Sequence, residues 1–288
     1  MFLNIFVCIF CVYVLTYKYK PCYNINNIFE RGVQPLKTII IANQKGGVAK
    51  TATAAAIWAG FNQRGKKTIA IDLDPQCNLT ESTSAATEGK TIFGVLSGEI
   101  TAAESIQTIG GIDIIASSEK LSAAESIFTE TGKEYLLRES IEPIKKRYDY
   151  AIIDTPPTLN ILTVAALTAA DIIIIPAFAD VHSISGITKL SGTIKAVKKY
   201  FNPKIKIGGI LLTRYKANTT LSKEITELFE ETAQQLGTKV YNTKIRECIK
   251  VPESAARQEP LLSIYPKSTA ALDYNSFIDE LLKGVKTK

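Results

Sequence analysis

Two lysines and a threonine within one short segment could together bind phosphate groups and a metal ion. The segment Lys45-Gly-Gly-Val-Ala-Lys50-Thr51 follows an apolar, β-branched run over 38–41 and precedes an alanine-rich stretch over 52–60. In a strand–loop–helix unit, backbone N–H groups of the loop surround the phosphates, and the helix N-terminus adds positive potential. Lys50 can reach the terminal phosphates of a nucleoside triphosphate, and the Thr51 hydroxyl can ligate Mg²⁺. The loop residues that we expect to bind the nucleoside triphosphate are Lys45, Gly46, Gly47, Val48, Ala49, Lys50, Thr51 and Ala52.

Two acidic motifs follow other apolar runs and could complete such a site. Asp72-Leu-Asp74 ends one run, and Asp154-Thr-Pro-Pro157 ends another. In an open parallel sheet, ligands bind beyond the carboxyl ends of the strands, where these motifs would meet the loop. Asp154 then suits a Mg²⁺ site, and Asp74 could orient or activate the attacking water. A single aspartate at a strand end is more often a turn or helix cap, but three motifs in this order favour a nucleotide site.

The elements that must position these residues alternate between strand and helix after Pro35, which is typical of a mostly parallel sheet. We predict strands over 37–43, 68–72, 112–116, 150–154, 171–176 and 205–213. We predict helices over 50–64, 133–148, 160–169, 185–200, 221–236 and 269–286. Most strand runs are β-branched without alternation, as expected for strands buried on both faces. The predicted fold class is α/β, a mostly parallel twisted sheet with helices on both faces, in one domain over 37–288.

The composition excludes several kinds of active site. The chain of 288 residues carries a net charge of +6, which permits a polyanionic partner without requiring one. Its only histidine is His182, so catalytic triads and metal sites built from histidines are excluded. No cysteine lies between Cys77 and Cys248, which excludes the mid-chain ligands of an iron–sulfur ATPase. We expect these two cysteines to be free thiols in a reducing compartment.

Residues 1–36 form an apolar N-terminal extension. Residues 1–16 are almost continuously apolar, but a spanning helix needs about 18 residues or more. The extension lacks the basic region of a secretory signal. Three interpretations remain open: a membrane anchor, an unusual leader, or translated sequence upstream of the true start. We favour the third, because the domain proper begins near Pro35 or Lys37, and we expect a cytoplasmic protein.

Taken together, these motifs resemble the ParA/MinD class of P-loop ATPases, which share a deviant Walker A loop. Lys45 stands where that loop has its additional lysine, and the acidic motifs resemble those of ParA/Soj partition proteins. The resemblance continues through Gly209-Ile-Leu-Leu-Thr-Arg214, Lys244-Ile-Arg-Glu247 and Ser263-Ile-Tyr-Pro-Lys-Ser268. It covers about residues 37–285.

This resemblance implies a role for each site residue. ParA-like proteins bind ATP with Mg²⁺ and form a sandwich homodimer with both nucleotides at the interface. Lys45 would cross the interface to the partner's phosphates and stabilise charge there, as an arginine finger does. Gly46 would let two backbones approach closely. By resemblance, the catalytic residues are Lys45, Lys50 and Asp74, the metal residues are Thr51 and Asp154, and the adenine is flanked by Arg214 and the segment 250–253.

Two loop residues depart from the common pattern of the family. Ala49 stands where the commonest motif has glycine, so its backbone must tolerate a Cβ. Ala52 replaces a frequent second threonine and removes a hydroxyl that could touch a phosphate. Either change could weaken ATP affinity, but neither removes a group essential to hydrolysis.

A stretch without acidic residues runs from Val181 to Lys223. Its basic residues are Lys189, Lys195, Lys198, Lys199, Lys204, Lys206, Arg214, Lys216 and Lys223. A lysine run is often only a solvated helix face, but so long a stretch without acids favours a polyanion. ParA-like dimers bind DNA without sequence preference, and such binding rests on phosphate contacts. By this resemblance, the DNA-binding candidates are Lys195, Lys198 and Lys199.

The leading hypothesis is an ATPase for plasmid or chromosome partition. It would dimerise on ATP, coat nonspecific double-stranded DNA of the nucleoid, and leave when a ParB-like centromere-binding protein stimulates its weak hydrolysis. One alternative is a MinD-like positioning ATPase that cycles on a membrane; residues 274–288 do not suggest its C-terminal membrane helix, so a membrane partner is not expected. The other is a nucleotide-dependent DNA-binding regulator with little turnover.

Overall fold

The strands of the computed structural model, which describes residues 36–216 and 220–286, form one seven-stranded sheet. They are β1 (Lys37–Ile41), β2 (Thr68–Asp72), β3 (Gln107–Ile109), β4 (Ile112–Ile115), β5 (Tyr150–Asp154), β6 (Ile172–Phe178) and β7 (Lys206–Thr213). Their order is β3-β4-β2-β5-β1-β6-β7. Neighbouring strands are parallel except β3 and β4, which are antiparallel. The predicted α/β class with a mostly parallel sheet is confirmed.

The helices lie mainly in the connections between these strands. The α-helices of the described residues are α1 (Lys50–Gln63), α2 (Asn78–Glu81), α3 (Ile92–Leu96), α4 (Ala102–Ser105), α5 (Ala124–Ile127), α6 (Leu136–Ile141), α7 (Ile161–Ala169), α8 (Val181–Tyr200), α9 (Thr220–Gln235), α10 (Lys250–Ala256), α11 (Leu261–Ile264) and α12 (Thr269–Lys286). Short 3₁₀ helices span Glu119–Ala123, Lys133–Tyr135 and Glu142–Arg147.

Apolar side chains cover both faces of the sheet. Successive residues of a strand face opposite sides, so Ile39 and Ile41 pack on the face covered by α1 and α12, where Trp58 and Tyr274 are buried. Ile40 belongs to the core of the opposite face, to which α7, α8 and α9 contribute. The central strands β2 and β5 are buried at every residue, which explains why their sequences do not alternate between apolar and polar residues.

Strand register brings the acidic motifs to the same level as the end of β1. Ile41 is the register partner of Asp154 across the β1–β5 pair. Asp72 is the partner of the same Asp154 across the β2–β5 pair. The carboxyl ends of three adjacent strands therefore meet where the loop after β1 begins.

The fold differs from the sequence-based expectation in several places: the short helices α2, α3, α4, α5, α10 and α11 were not predicted, and three further differences have a physical reason. The single helix predicted over 133–148 is wrong: the segment consists of two 3₁₀ helices on either side of α6, and Pro143, which has no N–H to donate, lies in the second of them. Strand β3 was not predicted, because three half-exposed residues give too short a pattern. Helix α8 begins at Val181 rather than at 185, because the Asp180 side chain caps it by accepting the Ser183 N–H at 2.7 Å.

The N-terminal extension predicted over 1–36 lies, apart from Leu36, outside the described residues. Leu36 is buried and packs in the core on the side of α7 and α8. Among the described helices, none combines the length and the apolar character needed to cross a membrane.

The loop between β1 and α1 contains a non-glycine residue in the left-handed region. Ala49, which caps α1, has φ 63° and ψ 34°. An L-residue pays a steric cost there that glycine avoids. Ala49, where the sequence departs from the commonest motif, is therefore a site of local backbone strain.

Replacing Ala49 with glycine should stabilise the protein. We expect Ala49→Gly to raise the free energy of unfolding by about 0.5–1 kcal/mol, because relief of the left-handed strain exceeds the extra chain entropy of glycine. Urea denaturation of the purified chain measures the change. The control Ala55→Gly, in the same helix, should lower the value by about 1 kcal/mol. Equal destabilisation by both variants would show that Ala49 is not strained.

Candidate functional site

Hydrogen bonds to β6 and β7 and close packing against α8 hold the loop that follows β1. The Asn43 amide donates to the carbonyl of Pro176 on β6 at 2.7 Å, and its Oδ1 accepts the Lys45 N–H at 3.0 Å. The Thr213 hydroxyl at the end of β7 lies 3.2 Å from the Val48 carbonyl. A Cβ built on Gly186 of α8 would lie 3.3 Å from Asn43 Oδ1. The loop is thus fixed against β6, β7 and α8 before any ligand is considered.

A cavity of ≈ 1100 Å³ opens over this loop. From the predicted ATP-binding residues, its lining includes Gly46, Gly47, Ala49, Lys50, Thr51, Ala52 and Arg214. Asp74 also lines the cavity. Val48 is fully buried in the core beneath the loop, so only its backbone can serve a ligand. A Cβ added at Gly46 or Gly47 would meet no described atom within 4 Å, which leaves the floor of the cavity open for phosphate groups.

Burial shifts the pKa values of charged residues next to the loop. The dominant effect on Lys50 is desolvation, which lowers its pKa, while the charges of Asp154 and Asp74 oppose this change. Desolvation likewise raises the pKa of Asp154; the charge of Asp72 adds to the rise, and Thr51 and Lys50 act against it. Lys50, Asp74 and Asp154, which were predicted from three separate motifs, therefore form one electrostatically connected group.

The Asp154 carboxylate fits the environment of a metal ion. It is fully buried, and within the described part of the chain neither of its oxygens has a hydrogen-bond partner. The Thr51 hydroxyl is close enough to influence its pKa without meeting hydrogen-bond geometry. A buried carboxylate without partners is costly unless a cation or donor approaches it. The residues that could hold Mg²⁺ here are Thr51 and Asp154.

Lys45 is turned away from the cavity and bound within its own chain. Its Nζ lies 2.7 Å and 2.9 Å from the two carboxylate oxygens of Asp180 and 3.2 Å from the Ser183 hydroxyl. It also lies 5.6 Å from the ring centroid of Phe178. Burial acts to raise the pKa of Asp180, but the hydrogen bonds from Lys45 and Ser183 outweigh it and hold that pKa low. Lys45 thus forms an ion pair with Asp180, the residue that caps α8.

Arg214 lines the cavity. Its guanidinium donates to Glu247 Oε1 at 2.6 Å and 3.0 Å and lies 4.9 Å from the Phe178 ring centroid. Like Ala49, Arg214 has a positive φ, 48°. Val251 and Pro252 also line the cavity. Residues of both segments predicted to flank the adenine therefore line the same cavity as the phosphate loop.

The basic stretch separates into two groups in the structure. Lys195, Lys198 and Lys199 are exposed on the last turns of α8. Arg214 and Lys216 instead form salt bridges with Glu247 at the rim of the cavity. Asp180 and Lys195 are fifteen positions apart along α8, which corresponds to about 22 Å at 1.5 Å per residue. The exposed lysines are therefore remote from the phosphate loop, although one helix connects the two.

Sequence reasoning missed the partners of the two site cations. Asp180, Ser183 and Phe178 contact Lys45, and Glu247 neutralises Arg214. Asp180 carried a usable signal, because an aspartate before a long apolar-periodic segment is a typical helix cap. Glu247 carried none, because 33 residues separate it from Arg214.

Known proteins resemble this chain in sequence and in fold. The model of an AAA domain family matches residues 36–207. The sporulation initiation inhibitor protein Soj of Bacillus subtilis is 32% identical over 250 residues, which cover 85% of this chain and 98% of Soj. The chromosome partitioning protein ParA of Caulobacter vibrioides is 32% identical over 255 residues, which cover 86% of this chain and 94% of ParA.

A solved structure extends the match to three dimensions. The crystal structure of cobyrinic acid a,c-diamide synthase from Mycobacterium smegmatis, with bound ADP and magnesium, superposes with a TM-score of 0.76 at 29% identity. The match covers 88% of this chain and 96% of that one. Sequence, loop and sheet agree, and the chain belongs to the ParA/Soj family of P-loop ATPases with a deviant Walker A loop.

Proposed function

We propose that this protein is an ATP-dependent DNA partition ATPase that dimerises on ATP. The observation that carries the proposal is the convergence of Lys50, Thr51 and Asp74 on one cavity at the carboxyl ends of adjacent strands. Behind them lies the buried Asp154, which has no hydrogen-bond partner among the described residues and interacts electrostatically with all three. We prefer partition to the diamide synthase activity named for the M. smegmatis protein, because ParA of Caulobacter vibrioides and Soj of Treponema pallidum, each 32% identical over most of this chain, are named for chromosome partitioning.

The residues predicted for the site have distinct parts in nucleotide binding and hydrolysis. The loop backbone and Lys50 bind the phosphates, and the low dielectric around Lys50 strengthens its interaction with them. Asp74 orients the attacking water and accepts its proton. Mg²⁺ held by Thr51 and Asp154 would neutralise charge on the phosphate oxygens. Arg214 and the segment 250–253 border the nucleoside.

Dimerisation would place Lys45 on the partner's phosphates. No atom of the described residues lies within 4 Å of a Cβ built on Gly46. Close approach of a second backbone across the interface would therefore explain why a glycine stands there. Two exposed apolar side chains flank the same region: Val181, next to Asp180, is 60% exposed, and Ile249, which lines the cavity, is 68% exposed. Burial of such side chains would favour association.

The exposed lysines of α8 would bind DNA in the ATP-bound dimer. Because they lie about 22 Å from Asp180 along α8, nucleotide would control DNA binding by pairing two copies of this surface and not by direct contact. A ParB-like centromere-binding protein would stimulate hydrolysis and release the dimer from the nucleoid.

Variants of Lys50 and Asp74 test the proposed site. Lys50→Ala should abolish Mg·ATP binding, because the phosphates lose their main cationic partner. Asp74→Ala should keep the dissociation constant of Mg·ATP within about threefold and lower the hydrolysis rate at least about 100-fold. Isothermal titration calorimetry and single-turnover hydrolysis measure the two quantities. Absence of Mg·ATP binding by the unaltered protein would refute the proposal at its base.

The ion pair of Lys45 predicts how dimerisation responds to Asp180. Asp180→Asn keeps a good helix cap but removes the charge that retains Lys45 in its own chain. A partly exposed ion pair contributes about 0.2–1 kcal/mol, and a symmetric dimer releases two such pairs, so dimerisation with a non-hydrolysable ATP analogue should be roughly 2–30-fold tighter. Sedimentation velocity measures it, and Lys45→Ala serves as the opposite control. Weakening by Asp180→Asn to the level of Lys45→Ala would contradict the exchange of partners.

Charge reversal on α8 tests the DNA surface. The double variant Lys195→Glu/Lys198→Glu should lose ATP-dependent DNA binding while its affinity for ATP is unchanged. The control Lys90→Glu/Lys267→Glu changes the net charge equally and lies outside α8, so it should retain most binding. Fluorescence anisotropy with mixed-sequence duplex DNA measures both, and binding should fall steeply with salt. Equal losses of DNA binding in the two variants would show that net charge, and not the α8 surface, determines binding.

The apolar N-terminal extension favours one second candidate, a MinD-like positioning ATPase. If residues 1–36 bind a membrane, ATP-dependent sedimentation with liposomes should require them, and the α8 variants should sediment normally. The partition ATPase should instead sediment with DNA with or without those residues. A low-turnover DNA-binding regulator would bind DNA in the same way, but its hydrolysis would not respond to DNA and partner together.

A further inference from the structure

A buried network of hydrogen bonds lies behind Asp74 and joins two strand ends. Its members are Asp72 at the end of β2, Thr80 in α2 and Ser117 after β4, and all three are fully buried. Sequence reasoning assigned no role to any of them. Their donors and acceptors satisfy one another, which makes the network rigid. The loss of one member would leave buried polar groups without hydrogen-bond partners.

Thr80 is the residue that connects the other two. Its backbone N–H and its hydroxyl both donate to Asp72 Oδ2, at 2.9 Å and 2.7 Å. The same hydroxyl accepts the Ser117 N–H at 2.8 Å. The hydroxyl therefore uses its single donor and one acceptor site to tie β2 to the segment after β4.

Both ends of the network reach the backbone of Asp74. Asp72 Oδ1 accepts the Asp74 N–H at 3.0 Å, and the Ser117 hydroxyl donates to the Asp74 carbonyl at 2.6 Å. The Asp74 side chain accepts the Gln76 N–H at 3.0 Å. The peptide groups on either side of the Asp74 Cα are thus fixed, which sets the direction of its carboxylate into the cavity.

We propose that Thr80 is a positioning residue for Asp74: its hydroxyl, shared between Asp72 and Ser117, fixes the backbone that aims the Asp74 carboxylate at the attacking water. This inference rests on the proposed function, because it requires Asp74 to act in ATP hydrolysis. Thr80 acts through Asp74 and does not touch the nucleotide. Since misplacement of a catalytic group by about 1 Å can cost about 100-fold in rate, loss of the hydroxyl should affect kcat more than binding.

Three substitutions of known shape test the role of the hydroxyl. Thr80→Val removes it with little change of volume and should lower the single-turnover rate of ATP hydrolysis at least about 10-fold, with the Mg·ATP dissociation constant within about twofold. Thr80→Ser keeps the hydroxyl and should restore the rate to within about threefold of the unaltered protein. Ser117→Ala removes the contact with the Asp74 carbonyl and should also lower the rate, so the inference does not depend on one variant folding. The control Thr168→Val removes a buried hydroxyl that donates to the Val164 carbonyl in α7, and should leave the rate unchanged.

A double-mutant cycle with Asp74 separates positioning from general damage to the structure. If Thr80 acts through Asp74, Thr80→Val should cause no further loss of rate in an Asp74→Ala background. Additive losses, or a parallel loss of Mg·ATP affinity in Thr80→Val and Thr80→Ser, would overturn the inference while the proposed function stands. If the unaltered protein hydrolyses no ATP, the proposed function fails, and this inference fails with it.

Discussion

The structure depends on the alignment of three strand ends. Asp72, Asp154 and Ile41 are register partners across β2, β5 and β1, so the loop after β1 starts at the level where two carboxylates are buried. Parallel pairing makes this alignment possible, since it brings all carboxyl ends to one edge of the sheet. The cost is burial of acidic groups, and the chain offsets it in two ways: Asp72 is fully hydrogen-bonded, whereas Asp154 is left for a cation.

Lys45 connects this edge of the sheet to the long helix of the basic stretch. In the single chain its ammonium group is bound by Asp180 and Ser183, which form the cap of α8. The exposed lysines lie on the last turns of the same helix. A lysine that acts on a partner's phosphates must first leave Asp180, so dimerisation removes one interaction at the cap of α8. Nucleotide, second subunit and DNA surface would thus communicate through one helix, without any contact between phosphate loop and DNA.

The sequence predicted the fold and the centre of the site better than it predicted their boundaries. Buried parallel strands appear as long β-branched runs, and β2 and β5 lie at their predicted bounds. The loop, Asp74 and Asp154 could be placed because strand order fixes where carboxyl ends meet. The helix predicted over 133–148 failed because the apolar pattern continues through Pro143, which the backbone cannot accommodate in a regular helix.

Contacts between distant segments could not be predicted. Ser117 and Thr80 are 37 residues apart, and Lys45 and Asp180 are 135 apart; no local pattern marks either pair. Ala49 was recognised as unusual from the sequence, but its left-handed backbone became visible only in the structure. The roles predicted for Lys195, Lys198 and Lys199 remain predictions, because the single chain shows only that these residues are exposed together on α8.

The central claim is that Lys45 completes the site of the partner subunit, and a mixture of two inactive variants tests it most directly. Lys45→Ala retains Asp74 but supplies no lysine to its partner, and Asp74→Ala retains Lys45 but cannot activate water in its own site. If Lys45 acts across the interface, the mixed dimer contains one complete site, and an equimolar mixture should recover about a quarter of the unaltered hydrolysis rate by statistical pairing. If Lys45 acts within its own chain, neither site of the mixed dimer is complete, and a mixture as inactive as its two components would contradict the account.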